Sequence, residues 1–252
     1  MESYLVYTAG STPASRYAAD FLKASGLPII DHPSPEVTHL LLDVPSFGPE
    51  GTLRGGGEVG KLLAMLPPEI TVIGGNLRHP ALAGYKLLDL LQNPGYVAAN
   101  AAITADCALR VAGEKLPVVF RECPVLIIGW GRIGKCLGKL LKALGARVTI
   151  GARKEADRAM LSALGYEAVD TAEMNKTISH YRVIFNTAPE TIVSEEALSK
   201  CPDCLKIDLA SRKGLMGDDV IWARGLPGIR APESSGSLIG KQVVDFLKEE
   251  RK

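Results

Sequence analysis

The chain has 252 residues, enough for one large or two small domains, and its 46% hydrophobic and 23% charged residues are close to the average of globular proteins. Its 29 Lys and Arg nearly balance 28 Asp and Glu, so the net charge of +1 provides no global field to attract a nucleic acid. The first twenty residues lack the basic segment and apolar run of a signal peptide, and no stretch approaches the roughly 18 apolar residues of a membrane span. The five cysteines are an odd number, unlike a secreted disulfide framework. We therefore expect a cytoplasmic protein without membrane or nucleic-acid partners.

The first third of the chain alternates short apolar runs with segments of helical period, a pattern typical of parallel sheets flanked by helices. The predicted strands are 4–7, 28–30, 39–43 and 70–74, and the predicted helices are 13–25, 58–66 and 80–91. The turn signal Asn93-Pro94-Gly95 precedes an Ala-rich stretch over 97–111, which predicts a helix joining two lobes.

From residue 121 onward the alternation of strands and helices is more regular. The predicted strands are 123–128, 146–150, 167–169, 182–186 and 205–209, and the predicted helices are 132–144, 155–164, 172–179, 195–199 and 238–248. The sequence therefore predicts an α/β fold of two lobes. A smaller N-terminal α/β lobe over 1–95 and an inter-lobe helix and linker over 96–120 precede a Rossmann-type doubly wound parallel sheet over 121–252, which includes the closing helix.

The segment VLIIGWGRIG places three glycines after a predicted strand and at the start of a predicted helix. In a G-x-G-x-x-G of this context, Gly129 permits the tight turn, Gly131 allows backbone to approach a diphosphate, and Gly134 allows the helix to pack on the strand. The sequence thus predicts a dinucleotide site. Its predicted residues are Gly129, Trp130, Gly131, Arg132, Ile133 and Gly134.

The end of the next strand decides which dinucleotide is bound, because an acidic side chain there accepts from the ribose of NAD, whereas an Arg accommodates the 2′-phosphate of NADP. Arg153 follows Gly134 by nineteen residues, with Lys154 beside it. This arrangement favours NADP. The alternative is that Arg153 is only a surface charge and Glu155 reaches back to the ribose, in which case NAD is the cofactor.

Five segments occur in order between residues 104 and 236: TADCAL, GWGRIG, NTAP, DLASR and GLPGIRAPESSG. Together they resemble the A subunits of the bacterial dipicolinate synthases, whose nucleotide-binding half is similar to the D-2-hydroxyacid dehydrogenases. Many dehydrogenases share GWGRIG, whereas DLASR followed by GLPGIRAP is more particular to this family. The chain departs from the family's pattern at Asp106 and Cys107, where a Glu and a Gly are expected, and at Glu233, where a Lys is expected.

The resemblance implies an NAD(P)-dependent enzyme that oxidises dihydrodipicolinate, or its hydrated precursor, to pyridine-2,6-dicarboxylate. It also implies a partner, the flavoprotein-like B subunit, together with a source among sporulating bacteria and an oligomeric assembly. Two alternatives stay open: a 2-hydroxyacid-type dehydrogenase, and a nucleotide-binding subunit that is inactive without its partner. The 2-hydroxyacid dehydrogenase alternative requires a His in the final third of the chain, paired with an upstream Glu. It is weakened because the last histidine, His180, lies well before the closing loops.

The resemblance also implies roles for single residues. Through NTAP, Thr187, Ala188 and Pro189 are expected to line the nicotinamide side of the cofactor. Asn100, Thr104 and Ser211 are expected to contact the substrate.

Arg212 is the first choice for the substrate's carboxylates, since a planar guanidinium suits bidentate carboxylate recognition; the alternative is a structural ion pair with Asp208. Oxidation also needs a group that takes a proton, for which Asp106 and His79 are the candidates. The pair Cys201 and Cys204 follows a predicted helix rather than opening one, and no second pair exists to complete a zinc site. We therefore expect no metal and a structural role for these thiols.

Overall fold

The computed structural model describes residues 4–250, which form two compact units. The first unit contains the described residues up to Asn100 together with those from Pro227 onward, and the second runs from Ala101 to Leu226. The division differs from the predicted one at the C-terminal end, where residues 227–252 were assigned to the dinucleotide-binding domain. It also falls within one long helix rather than at a linker.

The first unit is built on five parallel strands in the order β2-β1-β3-β4-β5, one of the doubly wound orders. The strands are β1 (Val6–Thr8), β2 (Ile29–Ile30), β3 (His39–Leu41), β4 (Thr71–Gly74) and β5 (Lys86–Asp89), and the helices are α1 (Pro13–Ala24), α2 (Val59–Leu63) and the start of α3 (Pro94–Lys115). α1 begins at Pro13 because Thr12 caps it, accepting from the Ser15 N–H. Its buried face packs into the apolar core of the unit.

The closing helix, α9 (Pro232–Glu250), belongs to the first unit and packs against α1. The reason is the close approach of the two helices at Gly236 and Gly240: a side chain on Gly236 would come within 2.5 Å of the Ala14 carbonyl oxygen, and one on Gly240 within 2.6 Å of the Phe21 ring. Val243 and Leu247 form part of its buried face, and the assignment of this helix to the dinucleotide-binding domain is wrong.

The predicted helix over 80–91 is also wrong. A short 3-10 turn (Pro80–Leu82) is followed by Gly84 at φ +89°, which ends it, and the chain then forms the edge strand β5. β5 pairs in parallel with β4, from Thr71 opposite Lys86 to Gly74 opposite Asp89. Backbone pairing to an existing sheet overrides a short apolar pattern that fits a helix equally well.

The second unit is built on six parallel strands in the order β11-β10-β9-β6-β7-β8, which confirms the predicted Rossmann-type sheet. The strands are β6 (Pro124–Ile128), β7 (Arg147–Ala152), β8 (Glu167–Asp170), β9 (Val183–Asn186), β10 (Leu205–Asp208) and β11 (Val220–Trp222). The helices are α4 (Arg132–Ala143), α5 (Glu155–Ala163), α6 (Met174–Thr177), α7 (Glu195–Ser199) and α8 (Leu226–Arg230), which crosses the unit boundary. β11 was not predicted.

β6 lies at the centre of this sheet, between β9 and β7. Its residues from Val125 to Ile128 are fully buried, as expected for a parallel strand covered on both faces. The chain runs from β6 outward through β7 and β8, then returns to place β9 on the other side of β6, so the direction of winding reverses at the end of β6. Ligands of such sheets bind at this reversal. Within residues 4–250 no helix combines the length and the apolarity that crossing a membrane requires.

Candidate dinucleotide-binding site

The GWGRIG loop forms a tight turn between β6 and α4. Gly129 has φ +103°, a conformation that favours glycine, and its N–H donates to the Gly151 carbonyl oxygen at 2.9 Å. A side chain on Gly134 would collide with the Gly129 carbonyl oxygen, a backbone atom. The first and third glycines therefore hold the turn and the start of α4 together.

Gly131 differs from its two neighbours in the fingerprint. It is the N-cap of α4 with φ −79° and ψ −170°, an ordinary extended conformation, and a Cβ placed on it would meet nothing within 4 Å. No side chain among the described residues caps α4. The first N–H groups of a helix and the positive end of its dipole thus face open space here, which fits an anionic group such as the diphosphate of a dinucleotide.

The loop after β9 is fixed beside the glycine turn. The buried Asn186 side chain accepts from the Ala188 N–H at 3.1 Å and donates to the Ala188 carbonyl oxygen at 2.9 Å. The Thr187 hydroxyl donates to the Ile128 carbonyl oxygen at 2.9 Å, so the loop is tied to the last residue of β6. Thr187 and Ala188 are half-buried and Pro189 is exposed, so all three lie at the carboxyl end of the sheet, next to the glycine turn.

A third loop, residues 209–215 after β10, is held by Asp208. The fully buried carboxylate accepts from the N–H groups of Ala210 at 2.9 Å and of Gly214 and Leu215 at 2.7 Å each. Gly214 then packs on the previous loop so closely that a Cβ there would lie 2.6 Å from the Asn186 Nδ2 atom. The loops after β6, β9 and β10 therefore form one connected surface.

The proposed alternative for Arg212, an ion pair with Asp208, is wrong, because backbone N–H groups use that carboxylate. Arg212 and Ser211 are both exposed at the outer turn of the loop, and within residues 4–250 no ion pair involves the Arg212 guanidinium. Arg212 is thus presented to solvent by a rigid loop.

Basic side chains surround the end of β7. Arg153 is 77% exposed, and its Nη1 atom lies 3.9 Å from the Oε2 atom of Glu190. Arg158 from α5 donates to the carbonyl oxygens of Ala152 at 2.9 Å and Arg153 at 2.7 Å. Glu155, the alternative ribose ligand, lies exposed in the first turn of α5.

Sequence reasoning missed both Arg158 and Glu190. The contact of Glu190 with Arg153 depends on the strand order, which brings the end of β9 near the end of β7. The signal for Glu190 was its place directly after the NTAP segment.

Trp130, between the first two glycines, packs against α4 and the residue before β8. Its ring lies 5.8 Å from that of Tyr166 in an edge-on arrangement, and the Lys135 ammonium is 5.7 Å from its centre. Arg132 is exposed at the first turn of α4 and Ile133 is half-buried. Trp130 therefore provides an intrinsic fluorescent group within the glycine loop.

The other predicted site residues lie away from these three loops along the chain. Thr104 is buried on α3, and Asp106 is exposed on the same helix. Asn100 is half-buried and is the last residue assigned to the first unit before the division within α3.

His79 belongs to the first unit. Its ring stacks on that of Phe47 with centres 5.0 Å apart, and its Nδ1 atom accepts from the Ala81 N–H at 3.2 Å. When the ring is neutral, its hydrogen is therefore on Nε2.

The Cys201 and Cys204 thiols lie in the apolar core behind α7, as their predicted structural role requires. Burial raises the pKa of Cys204 to about 12, which keeps the thiol protonated and poorly reactive. The carbonyl oxygens of both cysteines accept hydrogen bonds from the fully buried Lys206 ammonium, which also pairs with Asp219. This turn is a packing element of the sheet's amino end.

Comparison with known proteins agrees with this geometry. Residues 111–215 match the family model described as D-isomer specific 2-hydroxyacid dehydrogenase, NAD binding domain. The dipicolinate synthase A subunit of Bacillus subtilis (strain 168) is 29% identical over 178 residues, which span 67% of this chain and 60% of that protein. The match thus covers less than two thirds of the relative's length.

Two solved structures share the fold over nearly the whole chain. The dipicolinate synthase A subunit from Bacillus halodurans superposes with a TM-score of 0.82 at 20% identity, covering 98% of each chain. Its counterpart from Bacillus subtilis gives a TM-score of 0.81 at 21% identity, covering 99% of this chain and 97% of that one. The resemblance predicted from the sequence is confirmed: the chain is similar to the dipicolinate synthase A subunits, and its residues 111–215 match the NAD-binding domain of the D-isomer specific 2-hydroxyacid dehydrogenases.

Proposed function

We propose that the protein is an NADP-dependent oxidoreductase that converts dihydrodipicolinate, or its hydrated precursor, to pyridine-2,6-dicarboxylate. The observation that carries the proposal is the surface made by the loops after β6, β9 and β10, in which an uncapped helix N-terminus at Gly131 and the exposed Arg212 share one edge of the sheet. A diphosphate and a carboxylate are both anions, and each group has a cationic or N–H-rich partner on this edge.

The glycine loop holds the diphosphate through backbone. The N–H groups at the start of α4 donate to it, and Gly131 leaves room for its oxygens. Thr187, Ala188 and Pro189 line the redox ring, and their positions are set by the Asn186 and Thr187 hydrogen bonds rather than by the ligand. When bound, the nicotinamide supplies the acceptor for the hydride that leaves the substrate ring.

Arg212 and Ser211 bind a carboxylate of the substrate. The guanidinium offers two parallel N–H groups, and the loop that carries it is rigid because Asp208 fixes three of its backbone N–H groups. Little conformational freedom is then lost on binding beyond that of the Arg212 side chain itself. Asn100 and Thr104 on α3 complete the proposed set of substrate contacts.

The proton released as the ring becomes aromatic goes to Asp106. The other candidate, His79, is less suited to this role, since its Nδ1 atom already accepts from the Ala81 N–H and its Nε2 atom carries the hydrogen. To accept a proton, His79 must give up the bond that starts the 3-10 turn. Asp106 is exposed and free of this constraint.

NADP is the proposed cofactor because the end of β7 presents Arg153 and Lys154, both exposed, and β7 itself ends in Gly151 and Ala152 rather than in an acidic residue. A 2′-phosphate would be drawn to this position, whereas the ribose of NAD would find no carboxylate on β7. NAD binding would depend on Glu155.

The relative is named as one subunit of a synthase, which supports a partner, and we propose that this partner is a flavoprotein-like B subunit within an oligomeric assembly. We place the reaction in the cytoplasm, in agreement with the absence of a disulfide within residues 4–250. A second function, oxidation of a D-2-hydroxy acid, is favoured by the family model matched over 111–215.

The test is an assay of the purified chain, alone and with the partner subunit, for formation of pyridine-2,6-dicarboxylate by its ultraviolet absorbance. Arg212→Ala should raise the substrate concentration for half-saturation at least about tenfold and leave cofactor affinity unchanged. Arg121→Ala is the matched control, because Arg121 is also exposed but precedes β6, at the opposite edge of the sheet. Turnover of D-2-hydroxy acids instead of the cyclic substrate would favour the second function, and activity only with the partner would mark the chain as a dependent subunit.

A further inference from the structure

The ion pair between Arg153 and Glu190 spans the strand that carries the glycine fingerprint. Arg153 follows β7 and Glu190 follows β9, and β6 lies between these two strands in the sheet. Neighbouring strands are about 4.8 Å apart, so the two side chains bridge roughly 10 Å to meet at 3.9 Å. They meet above the turn where the diphosphate is proposed to lie.

The backbones on both sides of this pair are fixed, so the meeting is set by the fold. On the β7 side, Arg158 donates to the Arg153 carbonyl oxygen at 2.7 Å and is itself held by Asp170 at 2.9 Å. On the β9 side, Gly214 approaches so closely that a Cβ would lie 2.8 Å from the Glu190 carbonyl oxygen. Only the two side chains themselves, 77% and 67% exposed, are free to part.

We propose that Glu190 is a specificity-determining residue that competes with the 2′-phosphate of NADP for Arg153. This inference rests on the proposed function, since it takes the glycine loop as the dinucleotide site. A 2′-phosphate carries between about −1.5 and −2 charges near neutral pH and must displace the Glu190 carboxylate from the guanidinium. The same carboxylate repels the phosphate. NADH lacks the 2′-phosphate and leaves the pair intact.

Glu190 thus reduces the preference for NADP over NAD that Arg153 creates. Without Glu190, the guanidinium is fully available to the phosphate. With Glu190 present, binding of the phosphate must first break an exposed ion pair. For such pairs this lowers the affinity for NADP by a few-fold.

The experiment measures the dissociation constants of NADPH and NADH by titration calorimetry on the full chain, for the wild type and for Glu190→Gln, Arg153→Gln and the double variant. Glu190→Gln should bind NADPH about three- to fivefold more tightly and NADH within about twofold of the wild type. In the Arg153→Gln background the same substitution should have no effect, because the group for which Glu190 competes is gone. Glu195→Gln, which removes another exposed carboxylate a few residues away, is the control and should leave both constants unchanged.

If the ratio of the NADPH and NADH dissociation constants is the same in Glu190→Gln as in the wild type, the inference is overturned, whereas the proposed function is unaffected. A gain in NADPH affinity that persists in the Arg153→Gln background also overturns it, since the effect then comes from overall charge. If the wild-type chain binds neither nucleotide, the proposed cofactor site and this inference both fail. Thermal unfolding of each variant shows whether an altered affinity reflects a damaged fold.

Discussion

The two glycines at the start of α4 offer a way to separate the binding of a dinucleotide from the stability of the fold. Gly131 and Gly134 are three residues apart in one fingerprint, but a methyl group added to each meets different surroundings. On Gly131 it faces open space, and on Gly134 it collides with the carbonyl oxygen of Gly129. Gly131→Ala should therefore affect the ligand and Gly134→Ala the protein.

The magnitude for Gly131→Ala follows from two opposing terms. Alanine is a poorer N-cap than glycine by a few tenths to about 1 kcal/mol, and it lowers the entropy of the unfolded chain, which stabilises the fold by about 0.4–1 kcal/mol where the backbone conformation is ordinary. The conformation of Gly131 is of this kind. The free energy of unfolding should thus change by less than about 0.5 kcal/mol, while the dissociation constant for NADPH rises at least tenfold, or about 1.4 kcal/mol.

For Gly134→Ala the backbone must move, and overpacking of this kind costs about 1–3 kcal/mol. Because the atom struck belongs to the backbone of a turn that also holds Thr187, we expect the upper end of that range. At about 2–4 °C for each kcal/mol, the melting temperature should fall by about 6–12 °C. Differential scanning calorimetry and NADPH titration measure both effects. Unchanged nucleotide binding by Gly131→Ala would refute the placement of the diphosphate.

Three further predictions concern buried charges. Lys206→Ala leaves two carbonyl oxygens and Asp219 without their donor. It should lower the free energy of unfolding, measured in urea, by about 3–5 kcal/mol, which is more than the loss caused by Lys206→Met. Equal losses in the two variants would contradict the role of the ammonium. Asp208→Ala removes the acceptor of three N–H groups and should lower the free energy of unfolding by at least about 3 kcal/mol in the same measurement. A loss below about 1 kcal/mol would show that water replaces the carboxylate. Burial lowers the pKa of His39 in spite of the opposing hydrogen bond with Glu250, so its neutral form is favoured in the fold. The stability that the neutral ring provides is complete above the ordinary histidine pKa of about 6.5 and is lost as the pH falls through that value. His39→Gln should therefore flatten the dependence of the unfolding free energy on pH between about pH 7 and pH 5. An equally steep dependence in this variant would exclude His39 as its cause.

Sequence patterns predicted the second sheet well because each of its central strands is buried on both faces. β6 appears as an unbroken apolar run for this reason, and the glycines after it mark the turn. The helix over 80–91 failed because two leucine pairs in twelve residues fit both periods, and only pairing with β4 decides between them. The partner of α9 is also absent from its apolar pattern, although Gly236 and Gly240, four residues apart, indicate a face that another helix approaches closely.

The candidate site was predictable as far as it lies on single segments of chain. Gly129, Gly131 and Gly134 act through local backbone geometry, and their pattern carries that information. Glu190 acts on Arg153 across a sheet whose order no local pattern contains, whereas Arg158 contacts the Arg153 carbonyl oxygen from only five residues along the chain. The alternative for Arg212, an ion pair with Asp208, rested on two charged residues close in sequence, but burial at the end of β10 leaves Asp208 facing backbone N–H groups instead.

A carboxylate at or just beyond a strand's carboxyl end holds the loops nearby in three places. Asp89 accepts from the N–H groups of Asn76 and Leu77, and Asp208 serves its own loop in the same way. Asp43 accepts from the N–H groups of Ser11 and Thr12, so the start of α1 after β1 already has its anion.

The start of α4 after β6 has the same strand-to-helix geometry but no side-chain cap among the described residues. A carboxylate in the Asp43 position would satisfy those N–H groups at little structural cost, as it does in the first unit. Its absence at α4, together with the open space at Gly131, supports the proposed diphosphate site, since the N–H groups there are left for an anion from outside the chain. In the first unit the Asp43 carboxylate already satisfies the N–H groups of the corresponding turn, and the proposal therefore places the diphosphate at the turn of the second unit.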